Sequence, residues 1–504
     1  MSARWFWALV IVAILCGTGF RIVHAESRLF WGDEGYTALR VSGHSIAEFR
    51  SIFNGNVYSR AAILRYQQFD PSMSYTDEVK GLAAEEPQHT PLFYVFERAW
   101  ANVFGSSIPS LRAVAMIFAL LAVLALYWFA FELTGDVFVA GAAGALLAVS
   151  PIFVDYGAQA REYSLYTAMA AAMSALLLRA LRLRTSTAWI VYGVAAALGL
   201  YSDLLLVCVL VAHAIYLAVE YREDVRTLRS FGFAAGAALL LFVPWIVQCV
   251  VHWSAIVRWQ APTLTPYPLS GFLVKWVFNI TATLFDGEYA SLRLAPVAAV
   301  AFLVLAYATV SMFHQQRRSV WLFVAALGGV IALEQIVPDV IVHGHGSTTA
   351  RYLMPLWLAL LLAVALLFGK RRMLTAAGAL RAGPFAAFCA IVLIEIAGTA
   401  INSTHVGWWD NNGEYPATLV AARINDATGS PLVVSEGHWA ELFEISHYVK
   451  PDVTFLLFNG PPPQRLPPAP VTFLLDPSHP TLAAFMNDAS YRIEPVPVGS
   501  LVNA

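Results

Sequence analysis

Charge is scarce in this chain. Asp, Glu, Lys and Arg together make up 13% of its 504 residues, about half the share of a soluble domain. The length alone would allow two or three soluble domains, but so few charges cannot coat their surfaces. Neither sign dominates: 31 basic and 33 acidic side chains leave a formal net charge of −2. A nucleic-acid footprint, which needs clustered excess positive charge, is therefore excluded. Cysteine is equally sparse. Cys16, Cys208, Cys249 and Cys389 lie in or beside apolar runs with no CxxC spacing. That excludes a disulfide framework and a thiolate zinc site and reads as reduced, buried, inert thiols. The chain has no internal repeat and no long low-complexity segment.

What is abundant is apolar sequence, at 59% of the residues. Several runs reach about 18 residues or more without a charge, enough to cross a hydrocarbon core of roughly 30 Å. Hydropathy predicts eleven spans, near 5–23, 111–133, 137–153, 163–181, 189–201, 204–219, 231–251, 294–313, 320–337, 353–369 and 385–401. Splitting 189–219 at Ser202-Asp203 is supported by charge. With the split and a cytoplasmic N-terminus, Arg4, Arg179, Arg182, Arg184, Arg222, Arg226, Arg229, Arg317, Arg318, Lys370, Arg371, Arg372 and Arg381 all fall inside, as the positive-inside rule requires. Val23-His24-Ala25 loosely matches a signal-peptidase site, but Arg21 and the long apolar run favour an uncleaved anchor. The expected architecture is a membrane all-α domain over 1–401, with a first outer loop at 24–109, followed by a small outer α/β domain over 402–504. In that tail, 431–435, 453–458 and 471–475 read as strands bounded by Pro, Gly or Asp. The stretches 417–425, 439–449 and 481–487 carry helical spacing, and 461–470 reads as a stiff proline-rich connector.

Four constellations between the spans carry chemistry. Trp31-Gly32-Asp33-Glu34-Gly35-Tyr36 places adjacent carboxylates among aromatics at a membrane interface. Apolar surroundings raise a carboxylate pKa toward the range of a general base. The competing reading makes Gly32-Asp33 the cap of a helix over 34–41, with both acids at its positive end. Glu86-Pro87-Gln88-His89-Thr90-Pro91-Leu92-Phe93-Tyr94 puts His89 just before a helix that Pro91 can start. Helix N–H groups favour an anion there, so His89 is either a phosphate contact or a loop histidine without a task. Asp155-Tyr156-Gly157-Ala158-Gln159-Ala160-Arg161-Glu162-Tyr163 offers an Arg able to grip phosphate oxygens in pairs, or a local Arg–Glu pair among interfacial tyrosines. Arg351-Tyr352 begins the tenth span, where an Arg can also simply snorkel. His343-Gly344-His345 lacks a third ligand nearby, so no metal site is assigned.

The ordered set resembles the bacterial relatives of dolichyl-phosphate-mannose protein mannosyltransferases and the aminoarabinose-to-lipid-A transferases, members of the GT-C group. Their pattern is W-x-D-E-x-Y, then [HK]-P-P-L-Y-Y, then S-Q-E-A-R-x-Y, then R-Y-x-x-P. Here it is met by Asp33-Glu34, by His89-Thr90-Pro91-Leu92-Phe93-Tyr94, by Gln159-Ala160-Arg161-Glu162-Tyr163 and by Arg351-Tyr352-Leu353-Met354-Pro355, across roughly residues 1 to 400. Two departures stand out. Thr90 replaces the first proline, and Gly157-Ala158-Gln159 replace Ser-Gln-Glu, so the acid of that motif is lost. Asp155 is the candidate substitute for it.

The resemblance implies a GT-C fold and an inverting transfer of sugar from a polyprenyl-phosphate carrier. Asp33 would be the base and Glu34 its partner. His89 would face the carrier phosphate, with Arg161, Arg351, Tyr352 and Asp155 as further substrate contacts. The acceptor would be a hydroxyl of an envelope glycan, lipid or protein. The setting would be a bacterial inner membrane, with the N-terminus cytoplasmic and the tail periplasmic. Because polyprenyl phosphate departs as a stable anion, one base and a cationic cradle suffice, and a base acting across the ring gives inversion, as in sugar hydrolysis. No cofactor is required by this chemistry; a divalent cation is the one candidate it leaves open. The alternative is a transporter or lipid flippase, which would place its charges at mid-membrane on broken helices in repeats.

Overall fold

A computed structural model describes residues 2–286, 294–407, 416–463, 465–487 and 492–496. Two compact units share the chain. The first comprises Met1–Glu26, Glu86–Phe93 and Arg112–Thr404; the second comprises Ser27–Glu85, Tyr94–Leu111 and His405–Ala504.

The first unit is a helical bundle. Eight of its described helices are long and apolar enough to cross a membrane: Arg4–Ser27, Ile108–Thr134, Tyr163–Leu183, Val225–Val251, Ala295–Gln315, Arg318–Val342, Ala350–Phe368 and Ala382–Asn402. The other three expected spans appear as shorter apolar helices, Val137–Val149, Ser186–Ser202 and Leu206–Glu220. The run predicted at 137–153 is broken at Ser150, which leaves helical geometry (ψ 124) ahead of Pro151, and resumes as Pro151–Tyr156. A proline disfavours helix in the residue before it. A further apolar helix, Leu269–Thr281, was not expected. Among the described residues, Tyr163–Leu183 and Ala350–Phe368 are the most enclosed spans, at 78% and 72% buried against 28% for Arg4–Ser27, so they form the bundle's centre.

Local signals set the helix ends. Tyr163–Leu183 stops at Arg184 in left-handed conformation (φ 54), and Thr185 caps the next helix by accepting the Ala188 amide. The two therefore form a tight antiparallel hairpin. At the far end, Ser186–Ser202 gives way at Asp203 and Leu206–Glu220 follows, so the division at Ser202-Asp203 is real.

The second unit holds a four-stranded sheet in the order β1-β3-β2-β4, with β1 Asn54–Ser59, β2 Leu432–Glu436, β3 Thr454–Phe458 and β4 Thr472–Leu475. Strand β2 pairs in parallel with β3 and β4, and β1 pairs antiparallel with β3. The central strands are mostly apolar and are buried along nearly their whole length, as a sheet covered on both faces requires. Leu432, Val434, Leu456 and Phe458 share one core face, against which Leu466, Ala469 and Leu474 pack. The three expected tail strands and three tail helices are present, the helices as Ala417–Asn425, Trp439–Tyr448 and His479–Met486. Strand β1, from the first loop, was not foreseen. Helix Trp439–Tyr448 packs on helix Gly32–Ser42 at Gly35, where an added Cβ would lie 2.8 Å from the Cβ of Phe443.

Candidate functional site

In the first unit, the segment carrying His89 is held by its own backbone. The indole N–H of Trp245 donates to the Pro87 carbonyl at 3.0 Å, and the Cys249 thiol approaches the same oxygen at 3.2 Å. Both anchors sit on Val225–Val251, so the loop is fixed before helix Leu92–Phe104 begins. Arg161 and Glu162 end the turn after Pro151–Tyr156, and Glu162 occupies the N-cap position of Tyr163–Leu183.

These two loops converge. Nδ1 of His89 lies 2.6 Å from Oε1 of Glu162, and Nη2 of Arg161 lies 3.2 Å from the same oxygen. Nη2 also stands 3.3 Å and 3.4 Å from the two ring nitrogens of His89, and the guanidinium carbon lies 5.8 Å from the Tyr163 ring centroid. Burial alone would raise the Glu162 carboxyl, but the charges of Arg161 and His89 and the hydrogen bond from His89 outweigh it and hold the pKa at about 2. An ionised carboxylate only accepts, so Nδ1 of His89 carries the proton and donates. Arg161 and Glu162 are almost fully buried, whereas the His89 side chain is 23% exposed. The accessible edge of this group therefore belongs to an imidazole backed by a guanidinium, a surface that suits an anion. The local Arg161–Glu162 pair read from the sequence exists, but its carboxylate is shared with His89, 73 positions away.

Asp155 has other partners. It lies in Pro151–Tyr156, where Oδ1 is 3.2 Å from Nδ1 of His24 and Oδ2 accepts the side-chain amide of Asn402. That amide also donates to Asp286 at 3.0 Å. Arg21 donates to the Ala148 and Phe153 carbonyls just before Asp155. Asp155 thus joins three separated segments of the bundle. Arg351-Tyr352 forms a 3-10 turn before the Met354–Ala365 helix, with the guanidinium 5.7 Å from the Tyr352 ring centroid. The Tyr352 carbonyl accepts from the Tyr166 hydroxyl at 3.4 Å, which ties this turn to the first turn of Tyr163–Leu183. His343 takes a left-handed φ of 58 that closes its helix, and His345 Nε2 meets the Thr265 hydroxyl at 3.3 Å. Among the described residues, no three His, Cys, Asp or Glu side chains are grouped to hold a metal.

In the second unit, Asp33 and Glu34 lie in the first turn of Gly32–Ser42. The helix begins two residues earlier than the capping reading supposed. Trp31 is the N-cap, and no side chain caps the helix. Asp33 is half-buried, whereas Glu34 is fully buried. Tyr36, one turn beyond Asp33, packs edge-on to Trp439 at 4.9 Å between ring centroids. Asp33 is therefore the more accessible of the two acids, and helix capping does not account for it.

Residues 88–247 match the model of the dolichyl-phosphate-mannose-protein mannosyltransferase family. That segment includes His89, Asp155, Arg161 and Glu162, whereas Asp33, Glu34, Arg351 and Tyr352 lie outside it. Among solved structures, the oligosaccharyltransferase of Archaeoglobus fulgidus, tethered to an acceptor peptide containing an NVT sequon, aligns with a TM-score of 0.50 at 15% identity, over 90% of this chain and 64% of that one. The same enzyme in its apo form aligns with a TM-score of 0.49 at 14% identity, over 90% and 64%. Its complex with an inhibitory peptide and a dolichol-phosphate gives the same four values. The chain thus spans just under two thirds of that enzyme's length. No curated protein sequence matches the chain at a significant level. The GT-C resemblance of the motifs is borne out, by the family match over the central segment and by the shared fold.

Proposed function

We propose that this protein is an inverting glycosyltransferase that takes a sugar from a polyprenyl-phosphate carrier and gives it to a hydroxyl of an envelope glycan, lipid or protein. The observation that carries the reading is the His89–Arg161–Glu162 group, which lies within the segment matching the mannosyltransferase family. A buried carboxylate fixes a guanidinium and an imidazole side by side, leaving the imidazole partly open. Such a pair supports a phosphate without reorganising when the carbon–oxygen bond to the sugar breaks, because its dipoles are already held in place. Arg351 and Tyr352 would extend the contact from the turn that Tyr166 ties to the same helix.

Asp33 is the proposed base. It would take the acceptor's hydroxyl proton while the oxygen attacks the anomeric carbon and polyprenyl phosphate leaves with the electron pair. Glu34, fully buried one residue on, would support its neighbour rather than touch the acceptor. Membrane lipid would accommodate the polyprenyl tail between helices. The reaction would take place on the periplasmic face of a bacterial inner membrane.

Mass spectrometry of lipid extracts from a deletion strain tests the reaction. Accumulation of a sugar-loaded polyprenyl phosphate, together with loss of one sugar decoration, is expected. Unchanged donor and decorations would overturn the reading. Complementation with Asp33→Asn tests the base. Asn is close in shape and Asp33 is not the N-cap, so the protein should insert normally. Loss of a general base typically lowers rate by about 10²–10⁴-fold, so the donor should accumulate as in the deletion. Full complementation by Asp33→Asn would leave the mechanism without its base.

A further inference from the structure

With Asp33 as base, the acceptor must lie against helix Gly32–Ser42, and the side chains beside Asp33 define what it can be. Residues three apart share a helix face, so Tyr36 stands next to Asp33, and both are half-buried. Tyr36 meets Trp439, the first residue of helix Trp439–Tyr448, at 4.9 Å between ring centroids and 87° between planes. Phe443, one turn along that helix, meets Trp439 at 5.8 Å and 85°. The guanidinium carbon of Arg50, an exposed residue ending helix Ile46–Arg50, lies 5.9 Å from the Trp439 ring centroid.

The sheet places Trp439. Strand β2 ends at Glu436, Gly437 turns the chain in left-handed conformation (φ 67), and His438 leads into the helix. Strand β3 lies on one side of β2 and β4 on the other. The chain leaves β2 for β3 and returns across it to β4, so its direction reverses at β2. Open α/β sheets bind ligands at the carboxyl ends of parallel strands at such a reversal. Polar groups collect there. His438 Nδ1 is 3.7 Å from Glu441 Oε1, and Asn459, which follows β3, brings its Oδ1 to 3.7 Å from where a Cβ on Gly437 would lie.

The simple explanation of Trp439 is packing of its helix on Gly32–Ser42. Phe443, fully buried against Gly35, already provides that contact. Trp439 is only half-buried, and both of its ring neighbours meet it nearly at right angles. Among the described residues, no ring is stacked parallel to the indole. An extended peptide would need a free strand edge, whereas β2 is paired on both sides. A lipid chain would need an aliphatic groove, whereas the neighbours of Trp439 here are aromatic or charged. A sugar ring carries C–H groups on its faces and hydroxyls around its rim. It therefore suits an aromatic surface bordered by donors and acceptors.

We propose that Trp439 is an acceptor-binding residue whose indole receives a sugar ring, with Arg50 and His438 contacting its hydroxyls, so that the acceptor group is a glycan hydroxyl. This rests on the reading of Asp33 as base, since Asp33 and Trp439 both flank Tyr36.

The test begins with the deletion strain. The decoration it loses should be attached to a sugar residue; attachment to a polypeptide would overturn the proposal. Full-length variants in nanodiscs are then assayed with two probes from that strain, its donor-loaded lipid extract and its undecorated glycan fraction. Trp439→Leu keeps apolar bulk without an aromatic face, so the half-saturating glycan concentration should rise about tenfold, while that of the donor stays unchanged. Trp439→Phe should stay within about threefold of wild type. Wild-type glycan dependence in Trp439→Leu, or an equal rise for donor and glycan, would reduce Trp439 to packing. If Trp439→Leu fails to insert, Arg50→Gln decides: the glycan value should rise about threefold with the donor value unchanged, and no rise would overturn the proposal. Each of these failures leaves Asp33 standing. Full complementation by Asp33→Asn would remove the base and this proposal with it.

Discussion

At the scale of single residues, the site depends on one buried carboxylate. Glu162 orients Arg161 and His89 through the same oxygen. Removing one partner of a buried ion pair typically costs about 3–5 kcal/mol, because the other charge is left uncompensated. Arg161→Ala should therefore lower the melting temperature and abolish donor use. Adding Glu162→Gln should restore much of the melting temperature and none of the turnover, since the cation is still absent. Thermal melts and a turnover assay on the single and double variants separate the two effects; equal melting of wild type and Arg161→Ala would show that the pair is not structurally important. His89→Ala should raise KM for the donor by about 10-fold or more. His89→Lys, with a cation to set against Glu162, should retain more activity. Equal KM for wild type, Ala and Lys would exclude His89 from the site. The sequence showed His89 and Arg161 as candidates in separate motifs. It did not show that Glu162 joins them, because the 73-residue separation from His89 carries no periodicity that could reveal a contact.

At the scale of elements, the short helices of the second unit hold a second buried acid. Arg98, in helix Leu92–Phe104, donates to the carbonyls of Val41, Asp70 and Met73, and lies 4.8 Å from the Phe69 ring centroid. It thereby ties the end of helix Gly32–Ser42 to the loop that carries Asp70 and Met73. Glu78, in the neighbouring helix Tyr75–Glu85, is buried, and desolvation outweighs the opposing charge of Arg98 to raise its carboxyl to about 8. In the unfolded chain the same group ionises near 4.3. A raised acid contributes stability in full below the unfolded pKa and loses it as pH rises toward the folded pKa. The protein should therefore melt at progressively lower temperature from about pH 5 to pH 8. Glu78→Gln, which stays neutral, should flatten that slope and melt higher than wild type at pH 8. Parallel slopes in the two proteins would refute the assignment. Element by element, legibility tracked periodicity. The tail strands β2, β3 and β4 were visible as short apolar runs between breakers. Strand β1 was not, because Asn54–Ser59 is polar and almost wholly exposed, so neither face carries an apolar pattern. Its membership of the sheet is decided by pairing with β3 rather than by its own composition.

At the scale of the whole molecule, the apolar runs made the bundle readable, because each span must satisfy its backbone internally and carries its own signal. What they leave open is which helix ends lie together, and in the bundle the ion pairs decide this. Glu132, near the end of Ile108–Thr134, meets Arg182, near the end of Tyr163–Leu183, at 2.8 Å. Arg184 pairs with Asp224 at 3.3 Å, Arg318 approaches Glu220 at 3.8 Å, and Asp136 accepts the Lys370 amide at 2.7 Å. The basic clusters thus fall at one end of the bundle. His24, Asp155 and Asn402 meet at the other. With eight described helices long enough to cross and the shorter Val137–Val149, Ser186–Ser202 and Leu206–Glu220 between them, we propose that the helices alternate as eleven passes, with Leu269–Thr281 not changing sides. Because short basic loops stay in the cytoplasm, the N-terminus should be cytoplasmic and Ala504 periplasmic. Alkaline phosphatase, which is active only outside, should be active when fused at Ala504 and inactive at Arg184, Arg222, Arg317 and Lys370. A fusion at Ala504 that is inactive as phosphatase and fluorescent as green fluorescent protein would reverse the tail. It would mean either an even number of passes or an inverted bundle, and a fusion just after Ser27 would tell these apart: active there means one crossing was miscounted later in the chain, and inactive there means the whole bundle is turned over.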